Sequence, residues 1–421
     1  MTADASARRA HAVDVTLLFL GLVALWVIPH HAGADGEVRL QALGRLMKEG
    51  DLSVPRYSIV GPLFAAPLYL VGQAELLNVT LFTIALALLW RELRDRTLLV
   101  LLVFASMFPN HVQVFYGEPF TALAVTLGIV WLSRGKRALG WSSIVLGGVN
   151  TPASVVGIGA VALLEARRTR SLRPLAAPAA TLALACLENL VTRGGLLRTG
   201  YEGATGFKSV MPYSGGPGFN YPLFFGLLAI VLSFGKGLLF FTPGLFAPLA
   251  SDAEDRTRHM HRMLVAFVIG LVLIYAKWWA WYGGTFWGPR FFLVASVPAC
   301  LVLASHLRSS APRRPLPNAL LALGLALSFW VGVNGLVFDI TGLGVCTRDQ
   351  YAYADLCHFT PDFSPLWHPL WDFRASVPEK TRPLAIGVCI FWAGACGWIG
   401  RSVFAQMLRD GRAALASLAA R

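Results

Sequence analysis

"MLVAFVIGLVLIYAKWWAWYGGTFWGPRFFLVASVPACLVLASH", residues 263–306, sets two apolar runs around a cluster of Trp, Tyr and Phe that also holds three glycines and one arginine. The runs, 263–277 and 288–306, approach the roughly 20 residues a helix needs to cross a bilayer, interfacial residues completing the shorter one. Aromatic rings with one polar end belong at the headgroup level. The stretch reads as two spans meeting at one membrane surface. It also poses a question: why does that surface carry an arginine among glycines?

Outward from this stretch the same pattern recurs. The chain of 421 residues is 56% hydrophobic and 14% charged, with a mean hydropathy of +0.59, whereas a soluble domain carries about 25% charged residues. The expected fold is an all-α polytopic membrane protein, one domain over 1–421, with about 10–12 transmembrane or half-membrane helices. Spans are expected at 13–30, 76–91, 97–109, 119–133, 174–192, 237–250, 263–277, 288–306, 316–338 and 384–404. Alternating direction closes only if two further segments do not cross. These are 58–73, broken by Pro62 and Pro67, and 138–165, where "GGVNTP" separates two half-helices that dip in and return. Non-helical backbone at that depth needs cover from protein or a cavity. The start, "MTADASARRAHAVD", lacks a small-residue cleavage site, so the first helix is expected to remain as an anchor.

A formal net charge of +13 does not indicate nucleic acid here. The basic residues fall in short loops: Arg91/Arg94/Arg96, Arg134/Lys136/Arg137, Arg167/Arg168/Arg170/Arg173, Arg256/Arg258/Arg262, Arg308/Arg313/Arg314 and the tail. That distribution orients a membrane protein and marks one side, with both termini, as cytoplasmic.

The other side receives the long connections 31–57, 110–118, 193–236 with a re-entrant segment, and 339–383. In the first, Leu40, Leu43 and Met47 lie opposite Glu37, Gln41, Arg45 and Lys48, the pattern of an interfacial amphipathic helix. Asp35 precedes it and has two readings, a helix cap or a functional acid. Glu118, before Pro119, has the same two. Lys236, Lys277 and Arg290 each sit among glycine or aromatic residues. Singly each is a snorkelling cation, but together they suit a phosphate held at the bilayer surface. Cys346 and Cys357, with ten residues between them, allow a disulfide in an oxidising compartment. No P-loop, GxGxxG or CxxC is present, and the outer carboxylates are too scattered to define a metal site.

With these residues in view the chain resembles the membrane-embedded glycosyltransferases of the GT-C superfamily, which use polyprenyl-phosphate-linked sugars. The resemblance rests on the order of "ADGEVRLQALGRLMKEGDL", "PRYSIVGPLFAAPLYLVG", "FYGEPFTALAV", "ENLVTRGGLLRTGY", "LSFGKGLLFFTPGL" and "WYGGTFWGPRFFLVASVPACLVL", and covers most of the chain. One departure is "GGVNTPAS", where relatives often have a basic residue before the proline. It implies a bacterial inner-membrane enzyme of cell-envelope assembly, acting on the periplasmic face. Its donor is a polyprenyl-phosphate sugar, its acceptor a glycan, lipid or protein.

In that superfamily an acid of the first outer loop commonly acts as general base, which falls here on Asp35. Lys236, Arg290 and Lys277 would compensate charge on the departing phosphate, and Glu118 would hold a sugar hydroxyl or position Arg290. Tyr57 and Glu37 complete the expected binding set. Among aromatic residues able to stack on sugar, Trp287 and Tyr282 are favoured because they flank the glycines and Arg290. His30, His31 and His111 are read as interfacial polar residues. Two rival classes, a transporter or lipid flippase and a non-catalytic envelope scaffold, predict acids along a mid-bilayer path or at helix caps alone.

Overall fold

The computed structural model describes residues 3–53 and 56–419, the side chains of 3–8 and 417–419 excepted. Among the described residues the chain is helical, and extended pairing is confined to two isolated bridges, His31 with Val114 and Thr205 with Pro217. The principal helices are α1 Ala3–Val27, α2 Ala34–Glu49, α3 Leu77–Leu93, α4 Arg96–Phe104, α5 Glu118–Ser133, α6 Arg137–Asn150, α7 Val155–Thr169, α8 Ala176–Arg193, α9 Leu223–Leu232, α10 Asp255–Tyr275, α11 Ser296–Arg308, α12 Pro315–Val337, α13 Arg382–Ile399 and α14 Arg401–Ala419.

Seven of the ten expected spans are helical stretches long and apolar enough to cross a membrane: Arg9–Val27, Ala74–Leu93, Arg173–Arg193, Asp255–Tyr275, Arg290–Arg308, Pro315–Val337 and Glu379–Ile399. The other three differ for local reasons. At 97–109, α4 begins at the Asp95 cap, whose carboxylate accepts from Leu98 N at 3.1 Å, but stops at Phe104. Just beyond, Ser106 Oγ donates to Leu102 O at 2.6 Å and accepts from Phe108 N at 3.1 Å, a local alternative to helical bonding. The 119–133 span forms where expected as α5, which at 16 residues is shorter than the seven long helices and almost wholly buried.

Residues 237–250 do not form a span. A turn at Leu238–Phe241 and a tighter one at Pro243–Phe246 replace it, while the regular helix is α9, upstream. Gly235 explains the break: a Cβ there would lie 1.9 Å from the Cys357 carbonyl oxygen. The chain is pinned under the last outer loop by this close approach, which only glycine permits.

The two segments expected not to cross are both broken. Residues 58–73 form short turns, Val60–Leu63 and Ala66–Leu70. The 138–165 stretch is the α6–α7 hairpin, broken at Thr151–Ser154. Asn150 at its tip donates to Gly117 O and Thr121 Oγ1, both at 2.9 Å, and accepts from Gly61 N at 3.0 Å. Each hairpin limb packs closely on a neighbouring helix, α6 on α5 and α7 on α10, because small residues face each other there. A Cβ on Gly128 would stand 2.7 Å from Gly140 O, and one on Gly270 would be 2.4 Å from Gly157.

The basic ends of several helices are tied together through acids. Lys136 pairs with Glu92 at 2.6 Å, Arg308 pairs with Asp95, and Glu165 holds Arg168 at 2.8 Å and His259 at 2.5 Å.

Candidate functional site

The connections 31–57 and 110–118 are fastened to one another before any functional side chain is placed. His31 N donates to Gln113 O at 3.0 Å and Phe115 N to His31 O at 3.1 Å. The His30 ring lies between Leu25 O (3.0 Å) and Val112 O (3.2 Å), and Asn78 Nδ2 donates to Val114 O (2.6 Å) and Tyr116 O (3.0 Å). Buried backbone that leaves regular structure must find such partners. The result sets the first turn of α2 against the approach to α5. Gly36 allows the contact, since a Cβ there would lie 2.7 Å from Phe115 O.

Asp35 stands in the first turn of α2, whose cap position is Gly33, with φ of +55° and no side-chain cap bond. The carboxylate is therefore not the cap. It accepts from Arg290, and the Tyr57 hydroxyl lies close enough to favour its charged form. Glu118, in the first turn of α5, lies 3.6 Å from Arg290 Nε. Arg290 is 5% exposed and enclosed by the rings of Phe286 (4.6 Å), Tyr116 (4.8 Å) and Phe291 (5.3 Å), an arrangement in which cation–π attraction offsets desolvation. Its Nε and Nη1 make no hydrogen bond among the described residues.

A second guanidinium adjoins the first cluster. Arg39 lies 4.8 Å over the Tyr57 ring and donates from Nη1 to Ser58 O at 3.1 Å, leaving a buried Nε without a partner. Gly117 makes room for it, because a Cβ there would be 2.7 Å from Arg39 Nη2. Arg193, at the end of α8, donates to the carbonyls of Arg56 and Tyr57, both at 3.0 Å. Tyr201 meets Tyr57 edge-on at 6.3 Å.

Burial alone would raise the Asp35 carboxyl, but Arg290, the Tyr57 hydroxyl and Arg39 together hold it below the ordinary carboxylate value. Burial, then the Asp35 charge, pushes the Tyr57 phenol up. Asp35 is thus an anion at neutral pH, and Tyr57 a neutral donor. Burial lowers His111 to about 3, so that it stays neutral.

An apolar groove of about 490 Å³ is walled by Leu146, Val149, Leu184, Leu187, Val191 and Ile59. Its polar residues are Ser142, Glu188 and Thr192. Glu188 accepts from Ile59 N at 2.8 Å, and Ile59 is two residues from Tyr57. The groove therefore runs to the segment that carries Tyr57.

Several expected site residues lie elsewhere. Lys236 is 3% exposed and donates to the carbonyls of Gly284 (3.0 Å), Gly288 (2.9 Å) and Phe286. Its three N–H bonds hold the glycine loop, in which Gly283, Gly284 and Gly288 have φ of +72°, +87° and +62°, and none is left for a phosphate. Lys277 is exposed and takes no part in the cluster. Trp287 is buried, donating to Asn334 Oδ1 at 2.8 Å and meeting Phe241 edge-on at 5.1 Å, so it is core rather than a sugar platform. Tyr282 packs on His358 at 4.3 Å, under the last outer loop. Glu37 is on the exposed face of α2, bonded to Gln41 at 3.0 Å. Cys346 and Cys357 form a disulfide with Cα atoms 5.9 Å apart.

Arg39 was absent from the sequence expectation. The signal was available in the spacing, since residues four apart share a helix face and Asp35 and Arg39 are such a pair. The buried face of α2 is Gly36, Arg39, Ala42 and Leu43, while Met47 is 36% exposed. Among the described residues no group of three or more His, Cys, Asp or Glu could hold a metal ion. Comparison of the chain with protein-family models, with curated proteins and with solved structures returns no match.

Proposed function

We propose that the protein is a membrane glycosyltransferase of GT-C type, moving a sugar from a polyprenyl-phosphate donor to a hydroxyl acceptor at the outer face of a bacterial inner membrane. One observation carries this reading. A carboxylate with a phenol near it, a second carboxylate and a guanidinium with unused N–H groups converge from three distant segments, one of which also reaches an apolar groove. An anionic headgroup on a greasy chain matches both halves of that arrangement, the chain in the groove and the phosphate at the guanidinium groups.

The chemistry follows from the roles available. The acceptor oxygen attacks the anomeric carbon as the bond from that carbon to the phosphate oxygen breaks, inverting the centre. The hydroxyl proton passes to Asp35, and the bonding pair leaves with the prenyl phosphate. Arg290, with Arg39 beside it, offers N–H groups to the charge that develops on the phosphate oxygens. Glu118 holds Arg290 in register.

The test uses purified protein, a panel of labelled prenyl-phosphate sugars and detection of released prenyl phosphate. Wild type is expected to turn over one of them, and Asp35→Asn to remain folded and inactive. Wild-type turnover by Asp35→Asn removes Asp35 as base. Vectorial movement of the intact donor without cleavage supports a flippase instead.

A further inference from the structure

Arg290 already faces two negative charges, Asp35 and Glu118. With Asp35 and Glu118 set against Arg290 and Arg39, the site has no positive charge to spare for a phosphate, and like charges at such separations repel strongly in a poorly solvated pocket. One acid must therefore give way. Glu118 has Arg290 as its ion-pair partner among the described residues. Asp35 has alternatives in place, the Tyr57 hydroxyl and the neighbouring Arg39 charge.

We propose that Asp35 is the resident anion of Arg290, and that a phosphate-bearing ligand binds by taking its place, so that anion binding and release of the carboxylate are one event. The proposal rests on the phosphate-linked donor of the reading above, but not on sugar transfer. Without ligand, Asp35 is engaged with Arg290, and is withheld from any hydroxyl or water that reaches the site. With phosphate on Arg290, Asp35 turns to the Tyr57 hydroxyl and faces the acceptor as a base. Donor binding thereby precedes activation of the acceptor.

The experiment measures binding of farnesyl phosphate, and separately of inorganic phosphate, to the full chain in nanodiscs. Asp35→Asn, which lacks the competing charge, is expected to bind farnesyl phosphate about tenfold tighter than wild type or more, the equivalent of one charged hydrogen bond. Tyr57→Phe deprives the displaced carboxylate of its waiting partner and is expected to bind about threefold weaker, the equivalent of one neutral hydrogen bond. Farnesyl phosphate outbinding inorganic phosphate identifies a lipid-linked ligand. Equal affinities with the same ranking of variants keep the exchange and assign it to a free phosphate.

Equal or weaker binding by Asp35→Asn, tighter binding by Tyr57→Phe, or no binding by any variant at millimolar ligand overturns the proposal. If Asp35→Asn does not fold, the direction for Tyr57→Phe decides. A wild type that shows this ranking yet cleaves no prenyl-phosphate sugar leaves the exchange standing and removes the glycosyltransferase reading.

Discussion

Lys236 and Arg290 have the same surroundings in sequence, a cation among glycine and aromatic residues, and nearly the same burial, 3% and 5% exposed. Their bonding separates them. The ammonium of Lys236 is saturated by three backbone carbonyls, whereas Arg290 faces two carboxylates and keeps Nε and Nη1 unused. A buried polar group with every bond made stabilises a structure. One that is held in place with donors to spare calls for a ligand, because natural proteins leave few such groups unpaired. Lys236 shapes the loop, and Arg290 is presented by it.

The largest effect expected from this contrast is on chemistry. Arg290→Gln should lower kcat/KM for the prenyl-phosphate donor by about 10²–10³-fold, the range for loss of one preorganised donor to developing charge. A loss below tenfold, measured on folded protein, would put Arg290 with the structural cations. Lys236→Met should show the reverse balance. It strands three buried carbonyls, at about 1–3 kcal/mol for each group left unsatisfied, so thermal unfolding in detergent should move down by several degrees or more. Farnesyl phosphate affinity of the folded fraction should stay within about threefold, less than one charged hydrogen bond. A Lys236→Met protein of normal stability that no longer binds would reverse the assignments.

Acid dependence sharpens the contrast at a smaller scale. Arg290, the Tyr57 hydroxyl and Arg39 depress the Asp35 carboxyl despite its burial. A depressed acid contributes stability that is present above its unfolded value, about 3.9, and lost as pH falls through the lower folded one. Asp35 should therefore add no break to stability between pH 5 and pH 8, and its loss should begin only below the unfolded value. Tyr57→Phe removes one of the lowering groups, so the acid limb of kcat/KM should move upward. A downward or absent movement would separate Tyr57 from Asp35.

How much of this was legible in the sequence depends on the range of the interaction involved. Hydropathy reaches about 20 residues, and the seven long spans were found where expected. Breaks set by distant partners were not, since Gly235 halts 237–250 by touching Cys357. Asp35, Glu118, Tyr57 and Arg290 are brought together as expected, while Trp287 and Tyr282 were chosen for closeness to Arg290 along the chain. In three dimensions Trp287 turns inward to Asn334 and Tyr282 turns to His358. Neighbours in sequence on a loop with three left-handed glycines need not face the same way. Arg39 was legible from helix spacing alone, but the apolar stripe drew attention to Leu40 and Met47.

Lys277 supplies the smallest expected effect and the control for the whole comparison. It shares the sequence surroundings of Lys236 and Arg290, directly before "WWAWYGG", yet it is exposed and neither holds the glycine loop nor reaches the carboxylates. An exposed cation at a helix end interacts with solvent and headgroups, and its replacement usually changes stability by no more than about 0.5 kcal/mol. Lys277→Ala should therefore leave unfolding temperature, farnesyl phosphate affinity and donor kcat/KM near wild type. If it instead lost donor affinity with unfolding unchanged, the phosphate would have to lie nearer the aromatic rim than the Asp35–Arg290 pair, and burial would cease to distinguish the three cations.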